Sequence, residues 1–349
     1  MTVPFLVRAL LVLVAVFVAA LAVVLGHGAW LYARRRWAAP RLRRGRAALR
    51  GVARGEPPGP AEMEVLRGLP WALRTRLLVE LSSSLSGSSG AALNTLGREL
   101  GVVKRAEVMT RSLRWPRRLR GARILTGLGG SEATMLPLFG DRHPAVRAQA
   151  ADWAAHHPSP RVVRALLECM ADRGTASGFA VQDSLLRLGM TATGPMAEFL
   201  AQRSGPAAAS ALELAAALPH AGLQGPALAL CSDPHPPTRA RALRLLAAVG
   251  GSETSAIART LLEDPDAEVR AAAATALGRT GDWASAPAVA RCLRDPSWEV
   301  RAAAGLALRA LGGPGLLLLR RYRDDPDPFA ADMARQTLDV SALAEGGGA

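Results

Sequence analysis

An aspartate followed by proline returns at a near-fixed interval down the C-terminal half of the chain. It falls at Asp233-Pro234, Asp264-Pro265, Asp295-Pro296 and Asp325-Pro326, spaced 31, 31 and 30 residues apart. Arginine follows six positions after three of these aspartates, at Arg239, Arg270 and Arg301. A fixed period between about 20 and 50 residues marks stacked repeats, each too small to bury a core alone. Stepping the register back by 30 or 31 reaches 203, 172 and 141. Asp172 and Asp141 restore the aspartate, Arg203 replaces it, and Asp141 is again followed by an arginine, Arg147.

The clearest unit, Asp264 to Arg294, reads DPDAEVRAAAATALGRTGDWASAPAVARCLR. Asp264 suits a helix N-cap and Pro265 the first turn. Val269, Ala272, Ala273 and Leu277 fall on one helical face. Gly278 and Gly281 are expected to end this helix, with Asp282 opening a turn. A second helix then runs through Ala286, Val289, Ala290 and Leu293. It stops at the next Asp-Pro, because proline disfavours helical geometry in the residue before it. Each unit is thus a helical hairpin, with alanines small enough to let neighbouring helices approach closely.

The strings DPDAEVRAAAATALG (264–278) and DPSWEVRAAAGLALRALG (295–312) resemble HEAT repeats, especially the short HEAT-like type also seen in phycobilin lyases. The resemblance covers about residues 110–340. It is specific at 233–312 and weakens over 172–230, where Gly178 replaces the ladder arginine and Arg203 the aspartate. It implies an all-α fold, a right-handed α-solenoid of about seven HEAT-like hairpins; the apolar run at the N-terminus adds one transmembrane helix before it. It also implies a structural ladder along the stack, comprising Asp141 and Arg147, Asp233 and Arg239, Asp264 and Arg270, and Asp295 and Arg301. An arginine fork suits that role, since it pairs with carboxylates and reaches helix termini of adjacent units.

Residues 9–25 carry no polar side chain, and the permissive stretch extends from Ala9 to about Ala33. Roughly 25 helical residues span about 37 Å, enough for a hydrocarbon core of about 30 Å. Trp30, Tyr32 and Trp37 stand where an interfacial aromatic belt would be. Arg8 alone precedes the run, whereas Arg34, Arg35, Arg36, Arg41, Arg43, Arg44, Arg46 and Arg50 follow it. The positive-inside rule then puts the N-terminus outside and everything after the helix in the cytoplasm. A cleaved signal peptide would carry its charge before the run, so the flanks oppose that reading. A buried soluble helix is disfavoured by a run apolar on all faces. The six arginines from Arg34 to Arg44 serve as topology determinants and are also placed to meet anionic lipid.

The formal charge of +14 is unevenly spread. Residues 1–60 hold ten arginines and one acid, while residues 141–349 hold 21 basic and 22 acidic residues. A near-neutral repeat body opposes nucleic-acid binding, which needs a basic face. Arginine outnumbers lysine 42 to one, which reads as the coding bias of a GC-rich bacterial genome rather than a sign of affinity for phosphate. The expected organisation is an anchor at 1–33, an arginine-rich segment and linker at 34–60, a helical cap at 61–109, repeats at 110–340 and a disordered tail at 341–349.

Motifs for catalysis, metal binding or phosphate cradling do not emerge from the sequence. Cys169, Cys231 and Cys292 each lie 28 residues after a register position, at 141, 203 and 264. They occupy one equivalent site in alternate repeats, too far apart for disulfides, and read as core thiols. The chain is therefore expected to be no enzyme and to need no cofactor or metal. The expected role is a membrane-anchored cytoplasmic scaffold that binds a protein partner, possibly itself a membrane protein, through its solenoid surface. One alternative is an accessory subunit of a membrane enzyme such as an envelope-polysaccharide glycosyltransferase; another is a nucleic-acid-binding solenoid. The second helices are expected to line the concave surface. Trp283 and Trp298 are the candidate partner anchors. Trp298 replaces Ala267 of the preceding unit, and it either covers the neighbouring repeat or meets the partner.

Overall fold

Alanine, leucine and arginine fill most positions between the proline and glycine breaks, and all three are strong helix formers. The computed structural model describes residues 3–54, 56–82, 88–172 and 178–346, and no strand occurs among them. The chain divides into two compact units, Met1–Ser131 and Glu132–Ala349. The first contains α1 (Val3–Ala48), α2 (Arg50–Ala53), α3 (Pro60–Gly68), α4 (Trp71–Ser82), α5 (Ser88–Glu99), α6 (Val102–Thr110) and α7 (Trp115–Leu128). The second contains α8 (Glu132–Met135), α9 (Pro144–Ala154), α10 (Pro160–Asp172), α11 (Gly178–Leu188), α12 (Thr193–Gln202), α13 (Gly205–Ala215) and α14 (Gln224–Leu230). It continues with α15 (Pro236–Val249), α16 (Ser252–Leu261), α17 (Ala267–Thr280), α18 (Ala286–Arg291), α19 (Trp298–Ala310), α20 (Gly313–Tyr322) and α21 (Pro328–Gly346).

In the first unit the apolar run is part of one long helix. Leu11–Trp30 is long and apolar enough to cross a membrane, and none of it is buried against the rest of the chain. The basic segment after it is no separate linker. It continues α1 and turns Leu42, Ala48 and Leu49 into the core of the unit, against α3 and α4. Gly45 makes this approach possible, since a Cβ there would meet the side chains of Leu69 and Leu77. The turn from Glu56 to Gly59 then leads into α3, with the Glu62 carboxylate accepting from the Gly59 amide at 2.6 Å. Part of the Ser/Gly run, residues 83–87, lies outside the described residues.

The second unit is an all-α solenoid of hairpins. The first helices of successive units stack side by side, α13 on α15, α15 on α17, and α17 on α19. The 31-residue period recurs in their core. Leu246, Leu277 and Leu308 hold one buried position, Ala242, Ala273 and Ala304 another, and Thr238, Val269 and Val300 a third. Thr238 is tolerated at an apolar position because its hydroxyl donates to the Gly205 carbonyl oxygen at 2.8 Å. Cys169, Cys231 and Cys292 are free and buried. Burial pushes the Cys231 thiol up to about 12 and the Cys292 thiol to about 11.

Several local expectations need correction. The compact units part after Ser131, so α7, expected among the repeats, falls with α6 in the N-terminal unit. Helix α21 runs to Gly346, through most of the segment expected to be a tail; residues 347–349 lie outside the described residues. The N-cap of α17 is Asp266, whose side chain accepts from the Glu268 amide at 2.9 Å. Asp264 is not available for that role, since its carboxylate is taken by Arg239 and by the Asp266 amide. Gly281 ends α17 at φ 68°, whereas Gly278 lies within the helix. Gly278 marks a close helix approach instead: a Cβ there would stand 2.7 Å from the Ala307 Cα of α19.

That contact sets the sign of a substitution. Gly→Ala inside a helix ordinarily gains about 0.5–1 kcal/mol. At Gly278 the added methyl must push α17 and α19 apart, and overpacking costs about 1–3 kcal/mol. Gly278→Ala should therefore lower the thermal midpoint of the detergent-solubilised chain. Gly225→Ala in α14, with open space around it, should leave the midpoint unchanged or raise it. Equal shifts for the two would refute the close approach.

Candidate partner-binding surface

The turns at the register aspartates 141, 233, 264, 295 and 325 share one feature. The aspartate Oδ1 accepts from the amide two residues on, at His143, His235, Asp266, Ser297 and Asp327. The arginine six positions later returns to the same turn. Its Nη1 donates to the aspartate's carbonyl oxygen at 2.8 Å for Arg147, Arg239 and Arg301, and at 2.9 Å for Arg270. The rest of the guanidinium then reaches forward. Arg239 Nε and Nη2 hold both carboxylate oxygens of Asp264 at 2.9 and 2.8 Å. Arg270 holds both oxygens of Asp295 at 2.8 and 2.9 Å. The ion pair thus joins each turn to the next repeat, not to its own aspartate.

The ladder has limits. Ala209 stands where a ladder arginine would precede Asp233, and Asp233 Oδ2 accepts from the Gly205 amide at 3.0 Å instead. Arg203 turns to both oxygens of Glu168, each at 3.0 Å. The side chain of Asp172, which would follow Arg147, lies outside the described residues. At the C-terminal end the arginine-to-aspartate interval shortens by one residue, from 25 to 24. Asp325 is held there by Arg294, at 2.6 and 3.1 Å. Arg301 instead lies over the Phe329 ring, 5.0 Å from its centroid.

Shielding decides which pairs matter. Arg239 and Asp264 side chains are 12% and 6% exposed, against 46% and 43% for the surface pair Arg244–Glu268. Burial raises the Asp264 and Asp295 carboxyls. The partner arginine's hydrogen bonds, the turn amide and neighbouring arginine charges more than reverse this, leaving both below the usual carboxylate range. At Asp325 the Arg294 hydrogen bond is the largest cause of a lowered carboxyl.

Trp298 opens α19 just after the Asp295 turn and is 63% exposed; Phe329, near the start of α21, is 64% exposed. Arg301 lies three positions after Trp298, on the same helix face, and stacks on Phe329. All three residues lie at the Asp-Pro edge, at the starts of α19 and α21. Trp283 is equally exposed but sits beyond the far end of α17, a 14-residue helix about 21 Å long. The two candidate tryptophans are therefore on opposite edges. The second helices do leave an open groove: Arg259, Glu263, Ala288, Arg291 and Arg294 line a cleft of about 210 Å³, polar rather than apolar. In the first unit, Arg36, Arg43 and Arg44 are exposed, and Arg41 lies 3.8 Å from the centroid of the Trp37 ring. The side chains of Arg34 and Arg35 lie outside the described residues.

The HEAT-repeat family model matches residues 225–309 and 254–339. The two matches together span the C-terminal third of the chain. The segment matched holds the Arg239–Asp264 and Arg270–Asp295 pairs and Trp298, Arg301 and Phe329. No curated protein matches the chain. Among solved structures, a crystal structure of an engineered protein is 16% identical, covering 82% of this chain and 87% of its own, with a TM-score of 0.36. The karyopherin Kap95p, solved with RanGDP, is 10% identical over 80% of this chain and 50% of its own, at 0.46. Human deoxyhypusine hydroxylase, in complex with glycerol, is 20% identical over 80% of this chain and 95% of its own, at 0.30.

Removing a ladder arginine leaves a shielded carboxylate without its partner. Arg270→Ala should cost about 1–3 kcal/mol in denaturant unfolding of the full chain, and Arg244→Ala less than about 0.5. The pH dependence has a definite sign. A carboxyl whose folded pKa lies below its unfolded value contributes its full stability above about 3.9 and loses it as pH falls through the folded value. Arg270→Ala should therefore flatten the acid limb of the stability profile. An unchanged limb, or equal costs for Arg270→Ala and Arg244→Ala, would overturn the inter-repeat role.

Proposed function

We propose that this protein is a membrane-anchored, non-catalytic scaffold that binds a protein partner along the Asp-Pro edge of its HEAT repeats. The observation that carries the reading is the group of Trp298, Arg301 and Phe329. Two large aromatics remain mostly exposed on one edge of the stack, with an arginine between them. Tryptophan and arginine dominate interface hot spots, because each combines large area with a directional polar group. At 63% exposure, Trp298 contributes little to covering the neighbouring repeat, which favours the partner-anchor reading over the packing one.

Membrane attachment through Leu11–Trp30 rests on length, apolarity and lack of burial. A helix satisfies its own backbone in lipid, so this segment can sit there without further partners. The arginines from Arg34 to Arg50 orient it with the repeats in the cytoplasm of a bacterial cell.

A photo-crosslinking residue at position 298, compared with one at exposed Leu317 on α20, tests the docking edge in intact membranes. Position 298 should yield a discrete protein adduct that is lost on Phe329→Ala, with the melting midpoint within about 2 °C of wild type, as a surface change predicts. Adducts equal at 298 and 317, or none at 298, would refute the edge. A periplasm-specific reporter fused after Ala349 should stay inactive; activity there, or a mature chain starting after Gly28, would refute the anchor.

A further inference from the structure

The hairpin of α6 and α7 carries a feature that neither the repeats nor the anchor explains. The two helices meet closely: a Cβ on Gly121 would stand 2.7 Å from the Ala106 carbonyl oxygen. The turn between them is held by its own hydrogen bonds. Arg111 and Ser112 amides donate to Val108 and Met109, and Arg118 Nη1 donates to the carbonyl oxygens of Ser112 and Leu113, each at 3.0 Å. This fixed turn presents Leu113 with 100% of its surface exposed. Val108 and Trp115 flank it and are also exposed.

Around this apolar tip the charge is predominantly positive. Residues 102–128 hold eight cations, from Lys104 to Arg123, and a single acid, Glu107. The hairpin is also fixed relative to α1. Gly45 of α1 lies against Leu69 and Leu77, and the Trp71 ring that opens α4 has Arg105 at 4.6 Å and Arg120 at 5.2 Å. The helix α1, α4 and the hairpin are thus one packed set within the first unit, without a flexible linker between them.

We infer that this tip is a second membrane contact, in which Leu113 and Trp115 enter the interface of an anionic bilayer while the surrounding arginines meet lipid phosphates. The inference rests on the anchor reading above. Basic residues close to a surface are drawn to anionic headgroups, and an apolar tip with Trp gains by leaving water at the headgroup boundary. A nucleic acid would satisfy the arginines but offers nothing to a fully exposed leucine at the apex. Held by the anchor, the tip would need only weak intrinsic affinity, since tethering makes the second contact intramolecular.

The test uses the full chain with Leu113→Cys carrying an environment-sensitive NBD label; the native cysteines are buried. The labelled protein is reconstituted into vesicles of phosphatidylcholine alone or mixed with phosphatidylglycerol. Flotation reports the anchor, and NBD emission reports the tip. The expected result is flotation in both, with a blue shift and quenching by doxyl-labelled lipid only when phosphatidylglycerol is present. High salt, or Arg111→Gln with Arg114→Gln and Arg117→Gln, should abolish the shift without affecting flotation. Flotation with an aqueous spectrum on anionic vesicles overturns the tip contact alone. Failure to float overturns the anchor and the tip contact with it. A spectrum that responds to added duplex DNA but not to lipid assigns the arginines to nucleic acid and also overturns the proposal.

Discussion

The arginine that reaches from one Asp-Pro turn to the next repeat is the joint on which the C-terminal stack depends. One end of Arg239 closes its own turn through the Asp233 carbonyl oxygen, and the other holds the Asp264 carboxylate. The same carboxylate organises the turn that launches α17, by accepting from the Asp266 amide. Local turn geometry and repeat-to-repeat packing are therefore coupled through two side chains. A pair this shielded has costs of desolvation that only good geometry can offset. Bidentate pairing, with the remaining guanidinium nitrogen satisfied by carbonyl oxygens, provides that geometry.

Close helix packing is the complement of this joint. Alanine at Ala242, Ala273 and Ala304 and glycine at Gly278 bring successive first helices together, and leucine at 246, 277 and 308 fills the space between layers. The spacing of the helices fixes where the next carboxylate falls. Where the interval loses one residue, Arg301 no longer meets the following aspartate, and Asp325 is held by Arg294 from the preceding second helix. The arginine so released stacks on Phe329 beside Trp298. The proposed docking edge is thus a consequence of the ladder ending, built from the residue type that elsewhere holds the stack.

The first unit follows a different rule. An apolar helix emerges from it without any covering surface, and the basic continuation of that helix is part of the unit's core. The arginines after the apolar run alternate with Leu42, Gly45, Ala48 and Leu49, which pack inward. Charge thus faces outward from a rigid support.

The register, the hairpin unit and the apolar N-terminal helix were legible in the sequence because each depends on local chemistry. Proline breaks a helix wherever it stands, alanine and leucine at helical spacing choose one face, and twenty apolar residues look the same in any fold. The cysteines could likewise be placed by the period alone. Other features needed the tertiary structure. Asp264 reads as an N-cap from its neighbours, but a carboxylate has a fixed number of acceptor positions, and Arg239 from the preceding repeat competes for them. Gly278 reads as a helix end, yet its purpose is a contact with Ala307, which is distant in sequence. Leu113 looks like any buried leucine between two helices, and only the closed turn shows that it points away from the core. Local chemistry determined the elements and their order; the choice among competing partners, and hence which groups remained exposed for function, was decided by which distant residues the packing brought within reach.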